Sequence, residues 1–286
     1  MREKLHVKKK KELLVLITNI AYADVPGWWG SSRKNLHMNL IVPKERENGQ
    51  KRPTVVFICG GAFLDVDNAV WLPEMLYFAR RGYNAVTIEY RTSNEYSFPA
   101  PLCDVKAAIR FLKAHQEEYG INPEQIFIMG ESAGGALASL AGLTAQKKEY
   151  DTGDFLEYDS SVCGVVDFYG VSKVSMEKTD VNTHPDLPYW INDAYMGIGY
   201  TKEMADESSA VCQVTKDAPP FMILHGDADD MVDISNSEEL YEALLEKGVD
   251  ATYLVLEGAG HADPMFYQDE ISERIYQFME KIITNK

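Results

Sequence analysis

The sequence predicts an α/β protein with a mostly parallel, eight-stranded sheet and helices on both faces of that sheet. Short apolar runs rich in β-branched residues alternate with longer segments of helical period, which is the pattern of this class. The chain has 286 residues and is 45% hydrophobic, so it can bury one large core. It contains no internal repeat and no low-complexity linker. Residues 1–286 are therefore expected to form a single domain.

The eight strands are predicted from their apolar and β-branched composition. The first two are expected to form an antiparallel pair at the start of the sheet. The predicted strands are 13–22, 36–42, 54–59, 84–90, 125–129, 163–169, 221–225 and 252–256.

Five helices are predicted between and after these strands. The clearest spans 101–118, because its apolar residues fall on one stripe, it begins at a proline and it ends before Gly120. The small residues of 133–145 are expected to continue as a helix directly after a strand. The predicted helices are 69–81, 101–118, 133–145, 235–247 and 269–283.

Residues 171–214 fit neither the strand period nor the helix period, and they include prolines and several aromatic residues. A long irregular segment inside a compact domain is usually functional or forms a small lid. An ordinary surface excursion is the alternative, and the sequence does not decide between the two. We expect an inserted lid here.

Charge and cysteine content exclude several classes of function. The formal net charge of −16 disfavours nucleic acid as a partner, because an adequate basic surface is incompatible with that balance. The four cysteines lie far apart without a C-x-x-C pair, so neither a zinc site nor a dithiol redox motif is indicated. Free thiols in a reducing compartment are the simpler interpretation. No metal site is predicted.

The N-terminus resembles a signal peptide, since four lysines at 8–11 precede an apolar run and an A-x-A tripeptide at 21–23. Glu12 adjoins the apolar run, however, and Thr18 and Asn19 interrupt it. We therefore expect a first strand behind a solvated basic tail. No later apolar run approaches the roughly 18 residues that cross a bilayer. A cytoplasmic protein with no membrane partner is expected.

The stretch FIMGESAGGA at 127–136 places Ser132 between two glycines where an apolar run gives way to small residues. A sharp strand-to-helix turn requires small residues around its apex and exposes the side chain at that apex. A chance G-x-S-x-G match has a probability of about 0.1 in a chain of this size. The motif therefore gains weight only from partner residues elsewhere.

Backbone donors for an oxyanion are predicted in two places. Gly60, Gly61, Ala62 and Phe63 follow the strand at 54–59, and a loop of small residues can direct its N–H groups into a cleft. A simple tight turn is the alternative interpretation of this loop. Ala133, at the start of a helix, would provide a second donor at the favourable end of the helix dipole.

An acidic loop and a glycine-rich histidine loop follow the last two strands. Asp227, Asp229, Asp230 and Asp233 are the candidate acids, and most of them are expected to cap or solvate the following helix. His261 lies in the loop EGAGHAD, after the acids, which is the order serine, acid, histidine. His225 is the rival histidine, but it ends a buried run and is expected to be a core residue.

These motifs together resemble the α/β-hydrolase carboxylesterases, and within them the bacterial acetyl-esterase and hormone-sensitive-lipase-like branch. GESAGG resembles that branch's nucleophile elbow, HGDADDMV its acid loop and GAGH its histidine loop. The resemblance covers 54–286 and implies the α/β-hydrolase fold, with the acid at Asp229. The chain departs from the branch in having CGGA where HGGG is usual, and in having Glu131 where many members have Asp.

The resemblance implies a serine esterase for short acyl groups, with acetylated sugars as one substrate option. Ser132, Asp229 and His261 would be catalytic, and the N–H groups of Gly61, Ala62 and Ala133 would form the oxyanion hole, although that assignment could shift by one residue. No cofactor is implied.

Gly60, Phe63 and Trp71 are expected to contact a small-molecule ester, although buried aromatic residues are usually core residues. An arylformamidase or small peptidase with the same triad, and an inactive binding protein of this fold, remain open alternatives. The sequence also leaves open whether the chain forms a homo-oligomer.

Overall fold

The computed structural model describes residues 1–27, 30–45, 49–174 and 191–285. One sheet of eight strands forms its centre, in the order β1-β2-β4-β3-β5-β6-β7-β8. β1 pairs antiparallel with β2, and β2 antiparallel with β4, whereas all the other pairs are parallel. The strands are β1 Leu14–Pro26, β2 Arg33–Pro43, β3 Arg52–Ile58, β4 Asn84–Ile88, β5 Ile121–Glu131, β6 Gly164–Phe168, β7 Phe221–Gly226 and β8 Ala251–Leu256.

Helices cover both faces of this sheet, which confirms the predicted class. All five predicted helices are present, with ends that differ from the predicted ones by a few residues. The helices of the described residues are α1 Leu72–Ala79, α2 Ala100–Ala114, α3 Gln116–Tyr119, α4 Ala133–Leu143, α5 Ile191–Met196, α6 Lys202–Ser208, α7 Ala210–Gln213, α8 Ser235–Glu246 and α9 Asp269–Thr284.

The two-residue period of the central strands divides the core into two layers. In β5, Ile126 and Ile128 pack in the layer that contains α2, α4 and α8, whereas Phe127 and Met129 pack in the layer that contains α1 and α9. Both faces of β5 are buried over residues 126–130, so this part of its sequence is continuously apolar rather than alternating. Each layer removes apolar side chains from water and stabilises the sheet from one side.

The helix predicted over 101–118 is divided at His115. α2 ends at Ala114, and α3 continues for one short turn to Tyr119 before Gly120 adopts a left-handed φ of 65°. Glycine has no Cβ and takes this conformation without steric cost, which explains why the segment ends where the sequence predicts.

The predicted lid at 171–214 lies only partly within the described residues, because 175–190 are outside them. The described part contains α5, α6 and α7, which have six, seven and four residues. Helices this short do not complete enough turns for a helical period to be visible in the sequence. Most of 191–213 is therefore helical, although the sequence predicts no helix there. No helix among the described residues is both long and apolar enough to cross a membrane.

Candidate active site

The candidate catalytic residues meet at the carboxyl edge of the sheet. β3, β5, β7 and β8 run parallel to one another, so the loops that follow them emerge at the same edge. These loops carry residues 60–63, Ser132, Asp229 and His261. A cavity of about 370 Å³ lies between them, and Ser132 and His261 both line it.

Ser132 lies at the apex of a tight turn between β5 and α4. Its φ of 53° is unusual for a residue with a Cβ, and its N–H donates to the carbonyl of Phe168 at 2.9 Å. A Cβ on Gly134 would overlap the carbonyl oxygen of Ile58. Glycine at 134 therefore lets the start of α4 approach β3 closely, and the strained turn directs the serine side chain into the cavity.

His261 joins the serine to the acid. Its Nε2 lies 3.0 Å from Ser132 Oγ, and its Nδ1 lies 2.8 Å from Asp229 Oδ2. An ionised carboxylate only accepts hydrogen bonds, so Nδ1 carries the proton and the lone pair of Nε2 faces the serine hydroxyl. The ring of Tyr169 packs edge-on against the imidazole, with 4.7 Å between centroids. This contact and the two hydrogen bonds hold the ring in one orientation.

Asp229 is held by both of its oxygens. Oδ1 accepts hydrogen bonds from the N–H groups of Met231 and Val232, each at 2.9 Å, whereas Oδ2 faces His261. Burial alone would raise the pKa of this carboxyl, but hydrogen bonds from His225 and His261 and the Val232 N–H hold its pKa well below the ordinary value. Asp229 is therefore a carboxylate at neutral pH.

The other three candidate acids lie elsewhere in the loop. Asp227 accepts the N–H of Gly258, and Asp233 accepts the N–H of Ser235 at the start of α8. Asp227, Asp230 and Asp233 are exposed, as expected for acids that solvate a turn or cap a helix.

Residues 60–63, which we call the oxyanion loop, face Ser132 across the cavity. Ala62 and Phe63 adopt positive φ angles of 54° and 61°, and a Cβ on Gly61 would overlap the carbonyl oxygen of Asp65. Gly61, Ala62 and Ala133 all line the cavity beside the serine. Ala133 begins α4, where backbone N–H groups have no acceptor within the helix.

Glu131 anchors the oxyanion loop, a role that the sequence did not predict. Its Oε1 accepts the Gly60 N–H at 2.6 Å and Trp71 Nε1–H at 3.3 Å. Gly60 and Trp71 are thus directed at Glu131 and are not among the residues that line the cavity; Trp71 stacks on Tyr267 with centroids 4.0 Å apart. Their predicted contact with substrate has no support in this geometry. The sequence feature that could have indicated this role is the carboxylate of Glu131 directly after the apolar run 126–130 of β5.

The cavity wall is mainly apolar. Phe63 lines it as predicted and stacks on Tyr195, with centroids 3.9 Å apart. The wall therefore combines the oxyanion loop, the acid loop and the described part of 171–214. Its larger apolar members are Phe63, Val171, Val174, Tyr195, Met231 and Val232.

The described residues contain no cluster of three or more His, Cys, Asp or Glu side chains that could hold a metal ion. In the same part of the chain Cys59, Cys103 and Cys163 are buried free thiols, and Cys212 is an exposed one.

The fold and the serine–histidine–aspartate arrangement are those of an α/β-hydrolase. The chain belongs to the BD-FAE family, whose family model matches residues 38–244.

Several known proteins similar to this chain are described as esterases. LipM of Mycobacterium tuberculosis, described as a probable carboxylic ester hydrolase, is 35% identical over 174 residues, covering 60% of this chain and 40% of LipM. Esterase LipQ of the same organism is 30% identical over 244 residues, covering 84% of this chain and 56% of LipQ. This chain thus spans about half the length of these curated relatives. A truncated carbohydrate esterase from gut microbiota has a similar structure, with a TM-score of 0.81, 27% identity and coverage of 94% and 96% of the two chains.

Proposed function

We propose that the protein is a serine carboxylesterase that hydrolyses short-chain acyl esters of small alcohols through an acyl-enzyme. The observation that carries this proposal is the continuous pair of hydrogen bonds from Ser132 Oγ to His261 Nε2 at 3.0 Å and from His261 Nδ1 to Asp229 Oδ2 at 2.8 Å. A serine hydroxyl is a weak nucleophile until a base removes its proton, and this geometry provides that base.

In the first half-reaction Ser132 Oγ attacks the ester carbonyl while His261 Nε2 takes the hydroxyl proton. Asp229 stays ionised and stabilises the imidazolium ion through the Nδ1–H hydrogen bond; it does not itself become protonated. When the tetrahedral intermediate collapses, His261 returns the proton to the departing alcohol. The acyl group is then bonded to Ser132.

In the second half-reaction a water molecule replaces the alcohol. His261 takes a proton from this water, the hydroxide attacks the acyl carbonyl, and the proton then goes back to Ser132 Oγ as the carboxylic acid leaves. The N–H groups of Gly61, Ala62 and Ala133 stabilise the oxyanion that forms in both halves, with about 3 kcal/mol for each donor. The lining of the cavity by all three residues supports this role.

Acetylated saccharides are the substrate class that we favour. The similarity to a structure described as a carbohydrate esterase, over nearly the whole length of both chains, supports this choice. The apolar cavity beside Ser132 suits the acyl group, whereas the alcohol occupies the solvent-facing side. We further propose that 171–214 helps to bind substrate, because Val171, Tyr195 and Ser208 from it line the cavity.

Hydrolysis of p-nitrophenyl acetate by the wild-type protein and by Ser132→Ala tests the proposal. We expect kcat to fall by about six powers of ten in the variant, since the nucleophile is lost. A fluorophosphonate probe should label the wild type at Ser132 and leave Ser132→Ala unlabelled. Full activity in the variant would refute the assignment.

Substrate panels address the remaining alternatives. Acyl chains from acetyl to octanoyl, acetylated saccharides, a formyl amide and a peptide amide should be compared by kcat/KM. Preference for the formyl or peptide amide would replace esterase by formamidase or peptidase. Absence of both turnover and probe labelling would indicate an inactive protein of this fold.

A further inference from the structure

A second histidine contacts the carboxylate of Asp229. His225 is the next-to-last residue of β7 and has none of its surface exposed. Its Nε2 lies 3.2 Å from Asp229 Oδ2 and 2.9 Å from the carbonyl oxygen of Val232. Its Nδ1 lies 2.7 Å from the hydroxyl of Ser237, a buried residue of α8. The two ring nitrogens thus contact different parts of the fold: Nε2 faces the loop after β7, and Nδ1 faces α8.

The contact with Val232 determines which nitrogen of His225 carries a proton. A carbonyl oxygen can only accept a hydrogen bond, so Nε2 must be the donor, and the same N–H faces Asp229 Oδ2. In the neutral ring Nδ1 then accepts the proton of the Ser237 hydroxyl. Val232 and Ser237 together keep the donor side of the ring directed at the carboxylate.

Four donor groups therefore surround the carboxylate of Asp229. Two backbone N–H groups reach Oδ1, and two imidazoles, His225 and His261, reach Oδ2. A carboxylate with only its Oδ1 contacts could rotate about the Cβ–Cγ bond and move Oδ2 away from His261. The fully buried His225 ring, whose Nε2 lies 3.2 Å from Oδ2, opposes this movement.

We propose that His225 is a positioning residue, which orients the Oδ2 atom of Asp229 toward His261 and shares the negative charge of that atom. The proposal rests on the proposed esterase function and deepens it. It assigns to His225 a role in turnover without contact to the substrate, since His225 is not among the residues that line the cavity. A buried histidine that served only the core would need no bond to the acid.

Two substitutions of nearly equal size separate positioning from packing. In His225→Gln the side-chain amide nitrogen lies near the former Nε2 and can still donate to Asp229, whereas in His225→Asn the shorter amide lies near the former Nδ1 and reaches only Ser237. We expect His225→Gln to keep kcat within a few-fold of the wild type. His225→Asn should lower kcat by about 10- to 100-fold with little change in KM, because the catalytic groups are displaced after substrate has bound.

The pH profile gives a second readout that packing alone would not move. Asp229, Asp233, Asp167 and Tyr169 are the charged and titratable groups that face His225. Asp229 and Tyr169 among them contact the catalytic histidine, the first through a hydrogen bond and the second through its ring. The pH profile of kcat/KM should therefore change in His225→Asn and stay in place in His225→Gln.

A double-mutant cycle with Asp229→Ala completes the test. If His225 acts through the carboxylate, His225→Asn should cause no further loss of kcat once that carboxylate is absent. Equal kcat for the Asn and Gln variants, or the same loss in the Asp229→Ala background, would overturn the proposal. If His225→Asn does not fold, Ser237→Ala removes the hydrogen bond to Nδ1 of His225 but keeps the ring. An unchanged kcat in Ser237→Ala would also overturn the proposal. Wild-type protein without Ser132-dependent hydrolysis would instead refute the proposed function.

Discussion

The replacement Asp229→Asn is expected to disable the enzyme through the geometry of the four donors around this side chain. An amide has one oxygen to accept hydrogen bonds and one NH2 group that donates them. The N–H groups of Met231 and Val232 cannot change their character, so the amide oxygen takes the place of Oδ1. The NH2 group must then occupy the position of Oδ2, where it faces His225 and His261.

This arrangement reverses the tautomer of the catalytic histidine. His261 Nδ1 must become an acceptor for the new NH2 group, so Nε2 carries the proton and can no longer take one from Ser132. The same change in a serine triad lowers kcat by about 10⁴-fold. His225 Nε2 stays a donor because Val232 fixes it, and the clash of two buried donors costs about 1–3 kcal/mol of stability.

Stability should also respond to pH in a defined direction. Because the pKa of Asp229 is lowered in the folded protein, its ionised form stabilises the fold above the unfolded pKa of about 3.9, and this contribution is lost as the pH falls further. The free energy of unfolding should thus differ more between wild type and Asp229→Asn at pH 7 than at pH 3.

Steady-state kinetics with p-nitrophenyl acetate and urea unfolding measure these effects. A variant that retains kcat within tenfold of the wild type would refute the tautomer reasoning. An equal difference in stability at pH 7 and pH 3 would refute the role assigned to the ionised carboxylate.

Two further changes test other contacts. Glu131→Ala leaves the oxyanion loop without the acceptor of its Gly60 N–H, so kcat should fall by about 10- to 100-fold. The control Glu131→Gln keeps an acceptor oxygen and should be much less impaired. Equal kcat values for the two variants would contradict this role. Asp151→Asn removes the partner of Lys106 and Arg110, two fully buried cations, and urea unfolding should show a loss of about 3–5 kcal/mol. Asp206→Asn, at an exposed pair, is the control and should cost less than about 1 kcal/mol; similar losses would refute the burial argument.

Local patterns in the sequence were sufficient to predict the strands and the main helices. Apolar runs such as TVVFIC and NAVTIEY mark strands buried on both faces, and Gly120 marks the end of a helix because glycine accepts a left-handed φ. The short helices α5–α7 were not predictable in this way, because they offer too few turns for a period.

The site was predictable where its chemistry is local. Ser132 is recognised from the glycines that its turn requires, and His261 from its order in the chain and its glycine-rich loop. Asp229 was distinguished from three neighbouring acids by resemblance to known esterases, not by any local signal.

The sequence by itself determined the order of strands and helices along the chain and the turn that holds the nucleophile, because each depends on neighbouring residues. Only the tertiary structure decided that Glu131 binds the Gly60 N–H and that His225 faces Asp229. In the first case the partners are 71 positions apart, and in the second the contact depends on how one loop folds back over the end of β7. A hydrogen bond requires two atoms to be about 3 Å apart, and for such residues only the packed sheet brings them that close.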